Sequence, residues 1–429
     1  MSTATASPAN DDLRLTKAAP KAYRAAGWLV MIGLLASALS LFVSTHEFWG
    51  AYLVAFMFVT RITLGGLFFV ILQHLVRAGW SVTVRRAAEG IAYNVRFLPF
   101  LFLPLVYAIS QGYLQPEAAL HHGGAHHGPQ LANVIHHPIG VSGTAFMEGM
   151  IGHAPFDKAQ WLSFGGVMGR MALYFLLWFG IARFYFKSSV AQDATGDVAL
   201  TNRMQRWAPP CMIAFALSTT FCAFDMLMAL APHWYSTIFG VYFFSGCLIS
   251  FFATLTLFLV FCQGEGLLQT TVTAEHYQDI GKFMFAFIVF WAYIAYSQYM
   301  LIWYGNIPEE TAWFFVRQSG DWIYVSVFQI VGHFVIPFFV LLSRWPKRHP
   351  RLLALGAIYV LLIHFVDLFW IIQPQLSPLA EPPVPLLHAF LSLAFVGFYI
   401  AWTVTNLRRV DLIPVRDPRL GEALTFENF

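Results

Sequence analysis

The sequence predicts an all-α, polytopic membrane protein, and three observations carry that expectation. Only 11% of its 429 residues are Asp, Glu, Lys or Arg, less than half the roughly 25% of a soluble domain. Hydrophobic residues make up 58% and the mean hydropathy is +0.62. The apolar residues also fall in runs of the length that a helix needs to cross a bilayer core, about 20 residues. These runs are continuous, unlike the short alternating strands of a membrane barrel. The charge deficit excludes a single water-soluble domain, a nucleic-acid binder and a disordered chain.

Ten such runs are expected, after a polar N-terminal segment over residues 1–24. The first, Ala25–Thr45, resembles the apolar core of a signal peptide. A second run follows within a few residues, so the first is read as a retained helix. That second run, Trp49–Gln73, carries Arg61 near its middle beside Thr60 and Thr63. The third, Ala92–Gln111, is interrupted by Pro99 and Pro104. A long connection over 112–160 follows, with His121, His122, His126, His127, His136, His137 and His153. Histidine-rich tracts can bind metal. This one is glycine-rich and has no Cys, Asp or Glu within the tract, so it reads as a partner-facing loop.

The fourth run, Trp161–Phe186, holds Arg170 just after Gly165, Gly166 and Gly169. In the fifth, Ala208–Leu230, Asp225 lies in the outer third. The sixth is Ser236–Cys262, and the seventh, Gly281–Tyr304, brings hydroxyls at Tyr293, Tyr296, Ser297 and Tyr299. The eighth, Asp321–Ser343, centres on His333, with Gln329 one turn earlier and Pro337 one turn later. In the ninth, Leu352–Ile372, His364 and Asp367 stand at i, i+3 and share a face. Leu386–Leu407 completes the transmembrane domain (25–407), and 408–429 is a polar C-terminal tail.

Cytoplasmic loops carry an excess of Lys and Arg. With the N-terminus in the cytoplasm, nineteen fall on the inner side, Arg85 and Arg86 among them, and only Lys158 and Arg317 on the outer. That asymmetry predicts both termini in the cytoplasm. The four cysteines, Cys211, Cys222, Cys247 and Cys262, lie inside apolar runs without CxxC spacing and read as small packed hydrophobes. No CxxCH attaches a haem, no cysteine set suits an iron–sulfur cluster and no Walker loop binds nucleotide. The chain is therefore expected to hold no cofactor or metal of its own.

A charge at mid-bilayer is costly, about 2.5–3.5 kcal/mol on insertion scales, so each needs a partner or a purpose. Arg61, Arg170, Asp225, His333, His364 and Asp367 are the candidates for a proton path. The competing reading pairs the two arginines with Asp225 and Asp367 in a locked bundle, and leaves His333 bonded to a backbone carbonyl. His364 with Asp367 is the better functional pair, because a His and an acid on one face can pass a proton. Hydroxyls at Ser218, Thr219 and Thr220 could extend such a path, although helical hydroxyls more often bond their own backbone.

Three stretches resemble the F subunits of bacterial alternative complex III, a quinol:electron-acceptor oxidoreductase. They are FWGAYLVAFMFVTRITLGGLFFVILQHLVRAGWSVTVRRAAE (Phe48–Glu89), FDMLMALAPHWYSTIFGVYFFSG (Phe224–Gly246) and IWYGNIPEETAWFFVRQSGDW (Ile302–Trp322). Arg61, Asp225 and His233 fall inside them; His364 and Asp367 do not. The resemblance extends to the NrfD-like, polysulfide-reductase-type membrane subunits. It implies two four-helix bundles plus two flanking helices, in the bacterial cytoplasmic membrane. It also implies partners: an NrfD-like quinol-binding subunit, an iron–sulfur subunit and cytochrome c subunits carrying haem. On this reading the chain is a cofactor-free subunit that contributes to proton translocation, with quinol oxidised in a neighbour. Two alternatives are a purely structural anchor of the same complex and a subunit with its own quinone pocket. A secondary transporter is disfavoured, because its broken helices would recur at matching positions in two halves.

Overall fold

The structure is a computed structural model that describes residues 11–38, 45–114, 161–231, 234–376 and 385–428. The seven loop histidines and His233 lie outside the described residues. Among the described residues all the repeating structure is helical, and the only bridges are the isolated pairs Asp12–Leu267 and Arg14–Asp411. Nine helices among the described residues are long and apolar enough to cross a membrane. They are α2 (Thr45–Leu75), α3 (Val82–Ser110), α4 (Phe164–Thr195), α5 (Val198–Met226), α6 (Phe239–Gly264), α7 (Ala274–Gly305), α9 (Trp322–Leu342), α11 (Pro350–Leu376) and α12 (Leu386–Leu407). The first expected run appears as α1, Ala19–Ala38. It begins on a polar turn with Lys21 and Arg24, and 39–44 lie outside the described residues. Three short helices complete the chain: α8 (Pro308–Gln318), α10 (Arg344–Arg348) and α13 (Leu420–Leu424).

The sequence explains where these helices start and turn. The Ser163 hydroxyl accepts from the Gly166 amide at 3.2 Å to cap α4, and Gly196, at φ +70°, ends that helix. A side chain there would be strained, since left-handed backbone suits glycine. Asp197 then caps α5 by accepting from the Ala199 amide at 2.8 Å. Boundaries move outward from expectation by ten residues at the start of α3 and α5: in α3 the charged Arg85, Arg86 and Glu89 are helical and buried, whereas Arg203 and Arg206 of α5 are helical and exposed.

Helix α2 is the axis: 94% of its most apolar stretch is buried, against 28% for α7 and α9. It contacts α3, α5, α6, α11 and α12. Against α12 packs α1, at a distance only small residues allow. A Cβ on Gly33 would lie 2.5 Å from the Phe390 carbonyl oxygen, and one on Gly397 would lie 2.6 Å from that of Ala26. Close backbone approach through small residues is how helices gain dispersion contacts in lipid.

Both described termini close the same end of the bundle. The Leu412 amide donates to the Leu13 carbonyl at 2.8 Å, and Arg14 pairs with Asp411 at 2.9 Å. Asp11 accepts the Thr270 and Thr271 amides, and Lys21 pairs with Glu265 at 2.7 Å. Here lies a buried ion network that the sequence assigned to loop charges. Arg85 bonds Glu89 and Asp417, while Arg86 bonds Glu89, Ser189, Asp193 at 2.7 Å and the Asp411 carbonyl. The C-terminal tail is thereby fastened to α3 and α4. At the surface of this end a hydrogen bond from Lys17 holds the Asp12 carboxyl below its usual range, and Arg419 does the same for Glu422.

Candidate functional site

Helices α2, α6, α9 and α11 bring four of the six candidate residues together. Arg61 and Asp367, both fully buried, form an ion pair at 2.7 Å. Asp367 Oδ1 also accepts from the Tyr242 hydroxyl and, at 2.8 Å, from the Gln329 amide. Nε2 of His364 lies 3.4 Å from the same Arg61 nitrogen, Nη1. The guanidinium sits over the Phe243 ring, 4.8 Å from its centre. Glycine makes this convergence possible: a Cβ on Gly246 would fall 2.8 Å from His364 Cε1 and 3.0 Å from Arg61 Nη1. A Cβ on Gly65 would collide with the Cys247 carbonyl, so α2 and α6 also meet through it.

His333 joins the cluster from a single π-turn, Val331–Val335, within α9. Pro337 has no amide to offer the carbonyl four residues back, which is that of His333, and such a gap favours a local change of winding. The carbonyl of the adjacent Gly332 accepts from the Tyr359 hydroxyl at 2.9 Å. The His333 ring lies 3.9 Å from that of Trp291 and 6.2 Å from that of His364.

The cluster's hydrogen bonding is incomplete. Both His333 nitrogens, His364 Nδ1, Arg61 Nε and Nη2 and Gln329 Oε1 are buried without a partner among the described residues. An unmade bond at a buried polar group costs about 1–3 kcal/mol. Groups of this kind persist where water, protons or a ligand can reach them. Beside the cluster is a cavity of about 540 Å³, lined by Tyr242, Trp291, Gln298, Arg317, Gln329 and Trp370 among others. Tyr242 and Gln329 therefore border the cavity and hold Asp367 together.

The other two candidates form a separate, closed site. Arg170 grips Asp225 with two bonds, Nε to Oδ2 at 2.9 Å and Nη2 to Oδ1 at 2.8 Å. Trp161 Nε1 and the Tyr174 hydroxyl supply two more, at 3.0 and 2.9 Å. The Arg170 guanidinium also donates to the Trp161 carbonyl at 2.7 Å and lies 3.9 Å from the centre of its ring. All Asp225 lone pairs with a clear geometric role are in use, which is the arrangement of a staple between α4 and α5.

Ser218 follows the commoner course for a helical hydroxyl, bonding backbone instead of extending a path. Ser218 bonds the Ala214 carbonyl at 2.7 Å and accepts from Trp178 Nε1 at 2.8 Å. Tyr293 and Tyr296 are about two-thirds exposed on α7. His74, His276 and His388 are buried as well. Those three sit toward helix ends, where a span count alone hides them.

Arg317, read as an outer surface charge, is fully buried. It donates to the Trp313, Trp370 and Ile371 carbonyls at 2.7, 3.1 and 2.7 Å and stacks 3.3 Å from the centre of the Trp313 ring. The signal available was local: Trp313 and Arg317 are i, i+4 on one face of α8. Tyr242 and Trp291 left no comparable trace in a chain with this many aromatics. Among the described residues, no three His, Cys, Asp or Glu side chains gather as metal ligands. Compared with known proteins, the chain matches no family model and no curated protein.

Proposed function

We propose that this chain is the cofactor-free, ten-span membrane subunit of a respiratory quinol:acceptor oxidoreductase, of the F-subunit type that its sequence resembles. Both termini face the cytoplasm, and haem- and iron–sulfur-bearing partners adjoin an NrfD-like quinol-oxidising subunit. Its contribution is proton translocation through the Arg61–His333–His364–Asp367 cluster. The observation that carries this reading is a fully buried ion pair in the central helix layer whose surrounding histidines and guanidinium keep unused hydrogen-bonding atoms. Protons move along such groups, whereas a purely mechanical pair is completed by its neighbours, as Arg170–Asp225 is. Asp367→Asn in the intact complex, reconstituted in proteoliposomes, is expected to lower the protons moved per electron with quinol oxidation near the parent rate. An unchanged ratio would overturn the role.

A second reading is favoured by one specific feature. Trp291 Nε1 and Gln298 Nε2 are buried donors, and Gln329 Oε1 a buried acceptor, all without partners and all belonging to residues that line the aromatic-walled cavity. That set of groups suits an uncharged aromatic ring with carbonyl or hydroxyl oxygens, such as a quinone headgroup. A photoactivatable quinone should then label α7 or α9 of this chain, with labelling lost in Gln298→Leu. Label confined to the neighbouring subunit would remove this reading and leave the proton role standing.

A further inference from the structure

A second recess, of about 610 Å³, lies apart from the cavity, between the α1–α12 pair and the α6–α11 pair. Both pairs pack on α2, whose Phe58 and Ile62 form part of the floor. Among the described residues no charged side chain lines it. On α12 it follows one face from Ala389 through Val396 to Val404. Those 15 residues of rise give a length of about 22 Å at 1.5 Å per residue.

Length and lining decide what fits. An apolar recess about 22 Å long runs most of the roughly 30 Å thickness of a bilayer core. Its walls are aliphatic and aromatic side chains with a few hydroxyls, which suits a hydrocarbon chain.

Charge marks one of its ends. Ala22 and Ala25 of α1 line the recess near the end closed by the termini, and Arg24 belongs to the same helical turn. Across the opening, Ile358 of α11 lines the wall. Arg351, seven residues earlier, shares its face two turns nearer that end. Lys21 is occupied by Glu265 at 2.7 Å, but Arg24 and Arg351 are exposed and have no carboxylate partner among the described residues. Basic side chains beside a membrane surface attract anionic headgroups.

We propose that the recess is a phospholipid site. An acyl chain lies along α12 between the two helix pairs, and an anionic phosphate headgroup is drawn to the end bearing Arg24 and Arg351. The lipid then acts as packing material between helix pairs that both lean on α2.

The test uses the full chain, purified in detergent and offered phosphatidylglycerol or phosphatidylcholine of equal chain length. Native mass spectrometry reads retained lipid, and thermal unfolding reads its effect. Phosphatidylglycerol should be retained in preference and raise the unfolding midpoint more. The exposed pair Arg24→Gln/Arg351→Gln should weaken that preference about thirtyfold, each cation being worth roughly fivefold at an anionic surface. A recess-filling variant, Ala389→Phe/Val396→Phe, should lose both lipids. Equal phosphatidylglycerol retention by parent and Arg24→Gln/Arg351→Gln would overturn the headgroup assignment. Crosslinking of Val396→Cys to protein instead of lipid would overturn the occupant.

Discussion

Asp367→Asn is the substitution whose consequences follow most directly from the geometry. It removes the negative charge 2.7 Å from Arg61 and leaves a guanidinium with 0% exposure. What remains beside it is the neutral asparagine amide, the His364 ring nitrogen at 3.4 Å and the face of Phe243 at 4.8 Å. None of these offsets a full charge. Breaking a buried pair from one side costs about 3–5 kcal/mol, or a factor of roughly 10² to 10³·⁵ in the folding equilibrium at 1.4 kcal/mol per decade. Removing both charges behaves differently. Arg61→Met/Asp367→Leu leaves no ion, only the Tyr242 hydroxyl and Gln329 amide without their acceptor, each costing about 1–3 kcal/mol. Adding Tyr242→Phe and Gln329→Leu removes those dipoles as well. The fourfold variant should return to near the parent, because apolar replacement of a whole buried polar set is often neutral or better. Equilibrium unfolding in mixed micelles, followed by Trp fluorescence, sorts the set: parent and fourfold variant together, the double and Asp367→Asn both below them. If Asp367→Asn unfolds with the parent, or the fourfold variant is no better than the single, the account of this cluster is wrong. The fourfold variant then separates folding from function, since it should assemble and still move fewer protons per electron.

Three more outcomes follow from particular contacts. Gly246→Ala places a methyl 2.8 Å from His364 and 3.0 Å from Arg61, so the same unfolding assay should show a loss of about 1–3 kcal/mol, as overpacked cores do. Asp225→Asn should lower stability through its Arg170, Trp161 and Tyr174 bonds, with the proton-to-electron ratio of the surviving complex unchanged; a changed ratio would return this pair to the proton path. Arg419 lowers the Glu422 titration below its ordinary value of 4.5. A lowered carboxylate stabilises the fold above its ordinary range and loses that contribution as pH falls through the lowered midpoint, and Arg419→Gln should move the carbon-13 titration of Glu422 back toward 4.5.

Much of the helical framework was legible because lipid imposes a length and a composition on any helix that crosses it. Leu386–Leu407 is α12 to the residue. Polarity misled at the other ends. Arg85, Arg86 and Glu89 look like loop charges, yet they neutralise one another and Asp417 inside the fold, so α3 starts ten residues before the expected Ala92. Among the site residues, pairing was foreseeable only as a set of options. Sequence spacing put His364 and Asp367 on one face, but it could not say that Arg61, 306 positions away, would meet Asp367. Nor could it divide six buried groups into one completed staple and one incomplete cluster. That division depends on which hydroxyls, amides and indoles surround each acid, and tyrosine and tryptophan are too common here to advertise such roles.

The clamp between Leu13 and Leu412 has a consequence for how such a chain can change over time. Since both ends emerge together, an odd number of added or lost crossings would tear the clamp apart and strand Asp411 and Asp417 from their arginines. Remodelling that keeps the clamp would therefore add or remove helices as hairpins.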